Sequence, residues 1–187
     1  LCIAGHKGLY GPMRTGMLIA RDGEGLSTII EGGTGTGSAS FEQPESMPDR
    51  MESGTPNVPG IAGLRAGMQF VTSKGINRIF HHEMNLIQRL YGRLEKTPNI
   101  LLYTQRPDDQ YDVPVLSFNV EGMPSETVGR ALNERGFAVR AGLHCAPAAH
   151  MFYGTIETGA VRVSPSVFSN MNEIEGFVLA LMKIIRK

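Results

Sequence analysis

Cysteine is scarce in this chain of 187 residues, and the two present, Cys2 and Cys145, lie far apart. At most one bridge could form, which is a poor disulfide framework; that usage fits a reducing compartment and leaves Cys145 free for chemistry. Charge of one sign is also missing. The 18 Lys and Arg balance 18 Asp and Glu, with a pI near 7.1, so no basic field steers the chain onto nucleic acid or anionic lipid, and neither is expected as a partner. No uninterrupted apolar run reaches the roughly 18 residues of a membrane span, and Leu1 to Lys7 carries neither a basic n-region nor a cleavage site. A cytoplasmic protein is expected. An initiator Met is lacking as well: the chain opens directly on Leu1-Cys2-Ile3-Ala4, an apolar run that reads as a strand already in progress and as a portion of a longer polypeptide.

What is present is enough for a core. Hydrophobic residues make up 41% of 20.3 kDa, which permits one globular domain or two small ones. Apolar runs at Met17 to Ala20 and Leu26 to Glu31 follow the opening strand, so the first thirty residues read as sheet core. Gly32 to Pro59 has little periodicity and predicts a long, functional loop. Pro59 suits the first turn of a helix through Ile61, Leu64, Met68 and Val71. Gly75 interrupts that pattern, and a second helix presents Ile76, Ile79, Phe80, Ile87, Leu90, Tyr91 and Leu94 until Thr97-Pro98 stops it. Composition shifts near Thr72 to Lys74, which places a domain boundary there and divides the chain into residues 1–73 and 74–187. Beyond it the sequence predicts a strand over 113–120, a helix from Ser125 to Arg135, a strand over 137–140, a loop reaching Gly159 and a strand over 160–164. A last helix opens with a capping-box variant, Asn170 and Glu173, and turns Ile174, Phe177, Val178, Leu181 and Ile185 inward. The alternation means an α/β fold.

Two segments could carry chemistry. In Gly5-His6-Lys7-Gly8, glycines flanking a lysine allow a planar ligand to approach the backbone. A lysine so placed can form a Schiff base if burial or a neighbouring cation lets it lose its proton; it can equally be a surface turn lysine, and His6 a surface histidine. In Arg140-Ala141-Gly142-Leu143-His144-Cys145-Ala146-Pro147 the chain leaves a strand for a loop of small residues. Arg and His beside the thiol supply the positive potential a nucleophilic cysteine needs, although a single cysteine can also be an inert small hydrophobe. Gly33-Thr34-Gly35-Thr36-Gly37 looks like a phosphate loop, yet no amphipathic helix follows and a dinucleotide site fails that test. Neither His81-His82-Glu83 nor His144, Cys145 and His150 has zinc-site spacing, so no metal is expected, and His81 and His82 read as a solvated helix face.

Taken together these segments resemble the class V, pyridoxal-phosphate-dependent cysteine desulfurases and selenocysteine lyases. Gly5 to Pro12 resembles the cofactor-lysine motif, Glu31 to Gly35 and Glu52-Ser53-Gly54-Thr55-Pro56-Asn57 the two following loops, and Arg140 to Ala146 the active-cysteine loop. Four motifs in family order across the whole chain are more specific than any one. The resemblance implies the end of the pyridoxal-phosphate transferase large domain followed by a small C-terminal α/β domain with a short sheet packed on helices.

Residue by residue, it implies that Lys7 carries pyridoxal 5'-phosphate covalently and shuttles a proton, that His6 lies beside the cofactor, and that Thr55 reaches its phosphate across a homodimer interface. Arg162, seventeen residues after Cys145, matches the arginine that binds the substrate carboxylate, with Arg140 a second substrate or loop contact. The activity implied is removal of sulfur from L-cysteine, or selenium from L-selenocysteine, with a Cys145 persulfide, L-alanine as product, a sulfur-acceptor protein and a place in iron–sulfur cluster assembly. Leu143 stands where relatives of this group often have a second histidine, and Ala4 where a phosphate-binding serine is common. The family's first half has no counterpart, so the chain alone is expected to hold the cofactor weakly or not at all and to be inactive. Two other readings stay open: a class V aminotransferase or lyase relative with another amino-acid substrate, and a non-catalytic dimerisation or docking module.

Overall fold

The computed structural model describes residues 1–21, 23 and 25–186. The chain divides into two compact units, Leu1–Gly75 and Ile76–Lys187. The helix before the break runs through Lys74, and Gly75 ends it with φ of 85°, a left-handed conformation that glycine adopts without a Cβ penalty. The division therefore falls a little beyond the composition shift.

In the first unit, β1 (Cys2–Ala4) pairs antiparallel with β2 (Gly16–Leu18), Ile3 opposite Met17. The third apolar run, Leu26 to Glu31, is not a strand. Arg50 donates to its Leu26 carbonyl, the Thr28 and Glu31 side chains bond each other, and Ile29 and Ile30 are 96% and 73% exposed. Coil with one short 3-10 turn at Asp49–Met51 leads to α1 (Val58–Lys74). Asn57 caps α1 by accepting from the Gly60 amide at 3.1 Å, and Pro59 occupies the first turn, where its missing N–H costs nothing. The face α1 buries consists of Gly60, Leu64 and Gly67. Gly67 lies so close to the segment after Lys7 that a Cβ there would meet the Leu9 carbonyl oxygen and stand 2.9 Å from the Tyr10 carbonyl carbon.

The second unit contains α2 (Ile76–Leu94), β3 (Ile100–Leu102), β4 (Leu116–Val120), α3 (Ser125–Asn133), β5 (Arg140–Gly142), α4 (Pro147–Phe152), β6 (Ala160–Val163) and α5 (Met171–Ile185). The four strands are antiparallel in the order β3-β4-β6-β5. One face of this sheet is apolar: Leu116, Phe118, Val120, Val161 and Val163 pack with Ile87, Leu90 and Leu94 of α2, Val128 and Leu132 of α3, and Phe177, Val178 and Leu181 of α5. Phe177 meets Phe118 and Phe137 edge-on at 6.3 and 5.7 Å, a favoured aromatic geometry. Because side chains alternate across a strand, Ser117, Asn119, Arg140 and Arg162 belong to the opposite face.

Several element boundaries differ from expectation. The strand expected over 137–140 is displaced to Arg140–Gly142, because the Phe137 amide bonds the Leu132 carbonyl and closes α3 while its ring joins the core. The strand expected from Val113 begins at Leu116, since Pro114 has no N–H for a ladder and the Val115 amide turns back to Val113. β3 is too short to show an alternation, and α4 arises within the expected loop, with Pro147 in its first turn. α3 ends at Asn133 rather than Arg135. The Asn170–Glu173 capping box of α5 is formed in both directions. His81 is exposed, whereas His82 is half-buried, its Nε2 lying 2.8 Å from the Ser169 carbonyl, so only the first is a solvated histidine.

Substituting Gly67 by alanine tests the contact that seats the Lys7 segment on α1. The propensity gain of under about 1 kcal/mol is outweighed by the clash, and urea unfolding should show a net loss of about 1 kcal/mol or more.

Candidate active site

In the first unit the residues singled out from sequence sit on two segments that abut the N-terminal half of α1. The turn after β1 carries His6 and Lys7, both exposed. Its base is fixed by backbone bonds from Gly5 to Thr15 (2.8 Å), Gly11 to Gly5 (2.9 Å) and Tyr10 to Lys7 (3.1 Å). A Cβ on Gly5 would stand 2.5 Å from Thr15 Oγ1 and 2.9 Å from Leu64 Cδ1, so only glycine lets the turn lie against α1. The Lys7 amine has no hydrogen bond or ion pair among the described residues. The second segment holds Thr55, exposed, just before the Asn57 cap. Gly33 and Gly54 bring the two glycine-bearing loops together: the Gly54 amide donates to the Gly32 carbonyl at 2.8 Å, and both glycines have positive φ. The Gly33 to Gly37 run is followed by coil, not a helix.

In the second unit, register rather than sequence neighbourhood assembles the groups. Arg140 of β5 pairs directly with Arg162 of β6, which on its other side faces Ser117 of β4. Like charges directly opposite across a ladder repel, and neither arginine has an acidic partner among the described residues. The Arg162 Nε is buried without any hydrogen-bond partner. A guanidinium fork matches the geometry of a carboxylate.

Cys145 is exposed and follows directly on β5 through Leu143 and His144. Both His144 and Cys145 lie in the left-handed region, with φ of 53° and 59°, conformations that non-glycine residues hold only when their surroundings enforce them. The turn is closed by the Ala146 amide bonding the Leu143 carbonyl at 2.9 Å. His144 Nε2 lies 3.0 Å from the Ala160 carbonyl; a carbonyl only accepts, so Nε2 carries the proton and Nδ1, buried and unpaired, is bare. Burial pushes the His144 pKa down; the Ala160 carbonyl opposes this, while Arg162, His150 and Arg140 push further down. The histidine expected to lend positive charge beside the thiol is thus held toward its neutral form. A cavity of about 250 Å³ behind the turn is lined by Tyr103, His144, His150, Tyr153, Thr155 and Arg162, among others. His150, weighed in the sequence only as a metal ligand, and Thr155, which no motif singles out, emerge as cavity residues whose burial beside the cysteine loop is visible only in three dimensions.

The aminotransferase class-V family model matches residues 1–177. The chain belongs to the aminotransferase class-V family. Among curated relatives, a probable cysteine desulfurase of Xylella fastidiosa strain 9a5c is 35% identical over 187 residues, covering 97% of this chain and 43% of the relative. A cysteine desulfurase of Shigella flexneri is 32% identical, covering 98% of this chain and 45% of the relative. The class-V chain thus spans less than half the length of these curated relatives. Among solved structures, the apo cysteine desulfurase from Thermococcus onnurineus NA1 superposes with a TM-score of 0.88 at 29% identity, covering 99% of this chain and 46% of that one. The Escherichia coli cysteine desulfurase CsdA gives 0.87 at 28% identity, with coverage of 99% and 45%. The resemblance and the fold class read from the motifs are borne out: the small unit is a short antiparallel sheet packed on helices. The family implies pyridoxal phosphate as its cofactor in general. None of the helices among the described residues is long and apolar enough to cross a membrane.

The His144 pKa has a signed consequence for stability. Because the folded value lies below the ordinary 6.5, its neutral-form contribution is full above that pH and is lost as pH falls toward the folded value. Urea midpoints of the wild type should therefore fall more steeply below pH 6.5 than those of His144→Asn, a residue that tolerates positive φ; parallel pH profiles would show that His144 is not held neutral.

Proposed function

We propose that this chain is the part of a pyridoxal-phosphate-dependent cysteine desulfurase that supplies the cofactor lysine, the substrate-carboxylate arginines and the sulfur-accepting cysteine. The observation that carries the reading is the Arg140–Arg162 cross-strand pair, with a buried unpaired Nε, in the same small unit as the exposed Cys145 turn. An amino acid brings the carboxylate this pair lacks. Membership of the class-V family and relatives named as cysteine desulfurases support the rest.

The donors present fit the cofactor. Lys7 offers an amine without an ion-pair partner among the described residues, on a turn whose glycines exclude side chains from its base. His6 and the Thr55 hydroxyl are exposed and able to meet a ring and a phosphate. In this reading Lys7 would hold pyridoxal 5'-phosphate covalently, with His6 beside it, and Thr55 would serve the phosphate of a second copy's site, so that the working unit would be a dimer. The chemistry the cofactor supplies is an electron sink for the pair released when the substrate Cβ–S bond breaks.

The chain's own residues then act in order. Arg162, assisted by Arg140, fixes the carboxylate of L-cysteine and so orients the substrate. Lys7 Nζ would take the α-proton and later return a proton to carbon. The Cys145 sulfur attacks the substrate sulfur: an S–S bond forms, the Cβ–S bond breaks, and the carbon skeleton leaves as L-alanine. Cys145 retains a persulfide, whose outer sulfur passes to an acceptor protein.

In the full-length, cofactor-loaded protein, one turnover with L-cysteine should add a single sulfur to the Cys145 peptide, seen by mass spectrometry, and release alanine. Alanine release without sulfur on Cys145, or undiminished persulfide chemistry in Cys145→Ser, would refute the assignment. Arg162→Lys keeps the charge but loses the fork, and should lower kcat/KM for L-cysteine by about 10- to 100-fold, as expected for a charge-assisted hydrogen bond.

A further inference from the structure

Behind the Cys145 turn lie two side chains that the reaction described above does not use. His150, on α4, is 6% exposed and Thr155 is 5% exposed. Thr155 Oγ1 lies 2.8 Å from His150 Nδ1, and the backbone binds the same two residues again, the Thr155 amide donating to the His150 carbonyl at 2.8 Å. The segment is tied further on: the Gly159 amide bonds the Thr155 carbonyl, and Gly159 is so close to β5 that a Cβ would stand 2.7 Å from Gly142 Cα. His150 also holds the turn directly, its amide donating to the Ala146 carbonyl at 3.2 Å.

The proton inventory orders these groups. When the Thr155 hydroxyl donates to His150 Nδ1, the neutral His150 ring carries its proton on Nε2. His144 is the complement: its Nε2 proton goes to Ala160 and its buried Nδ1 is bare. The two rings line one cavity, 5.6 Å apart and tilted by 44°. The ring nitrogens are not hydrogen-bonded to each other in this structure, and a small turn of either ring would let a His150 Nε2 proton reach the bare Nδ1 of His144. His144 is also one of the two left-handed residues of the turn that presents the thiol, a conformation that needs outside support.

We propose that Thr155 and His150 are positioning residues for Cys145: Thr155 fixes the His150 ring, His150 is placed to donate to the bare Nδ1 of His144, and the anchored His144 holds the left-handed turn that presents the sulfur. The inference rests on the reading of Cys145 as the sulfur acceptor, and it assigns roles to two residues outside the substrate and cofactor contacts. The charged or titratable groups acting on His144 are Arg162 of β6, Arg140 of β5 and His150 itself. Removing the His150 contact should therefore move the His144 titration as well as loosen the turn.

The test uses the full chain without cofactor or substrate. Long-range 1H–15N imidazole spectra should show both histidines protonated at Nε2; a wild type with His150 protonated at Nδ1 overturns the proposal with no variant needed. Thr155→Val and His150→Gln should shift the His144 titration. They should also change amide exchange at residues 143–146 and alkylation of Cys145, measured against Cys2 in the same molecule, by about fivefold, the ratio one ordinary hydrogen bond sets. Thr155→Ser should restore all three. If Thr155→Val fails to fold, His150→Gln alone decides. An unmoved His144 titration with unchanged exchange and alkylation refutes the positioning role. Failure here leaves the desulfurase reading standing, whereas failure to form a persulfide in the loaded protein would leave these spectra unchanged.

Discussion

Sliding β6 by one residue against its neighbours would carry Arg162 into the apolar layer and bring Val161 and Val163 out of it. The register Phe118↔Val161 and Arg140↔Arg162 is therefore fixed by the hydrophobic side: Phe118, Val161 and Leu181 are wholly buried, and a slip would exchange their burial for a desolvated guanidinium, a loss of several kcal/mol. Everything chemical in the small unit inherits its place from that constraint. The arginines face each other only because the valines face the helices. Cys145 emerges where it does because β5 ends at Gly142, against Gly159 just before β6.

This arrangement separates stability from chemistry by the two faces of one sheet. The helices α2, α3 and α5 cover the apolar face and are pinned to one another, with Arg89 and Arg93 of α2 both engaging Glu175 of α5. The other face keeps polar groups that the fold does not satisfy: Asn119 Oδ1, His144 Nδ1 and Arg162 Nε are buried without partners. Buried polar atoms normally find partners, and exceptions call for explanation. Here the exceptions gather on β4, β6 and the cysteine turn, on the polar side of the second unit's sheet. Glycine plays the matching part in the first unit, where Gly5, Gly11 and Gly67 let neighbouring segments approach closely around the exposed Lys7 turn.

How much of this was legible in the sequence depended on how local each signal was. The α2 pattern, the Gly75 stop and the Asn170–Glu173 box are written within a few residues, and the structure repeats them. The motifs around Lys7 and Cys145 were legible as a family order. Leu26 to Glu31 misled because an apolar run says nothing about whether a partner strand exists, and Arg50 reaches back 24 residues to occupy its carbonyl. β3 is three residues long and gives no periodicity to read. The opposition of Arg140 and Arg162 depends on pairing between distant segments, and the Thr155–His150–His144 cluster on a cavity, so neither has a signature along the chain.

The positions of the two exposed cysteines have a practical side. Cys2 lies in the first compact unit and Cys145 in the second, so the native chain offers one attachment point per unit without engineering. A spin or fluorescent probe on each turns the pair into a molecular ruler, able to register whether the units change their separation when an amino acid is added.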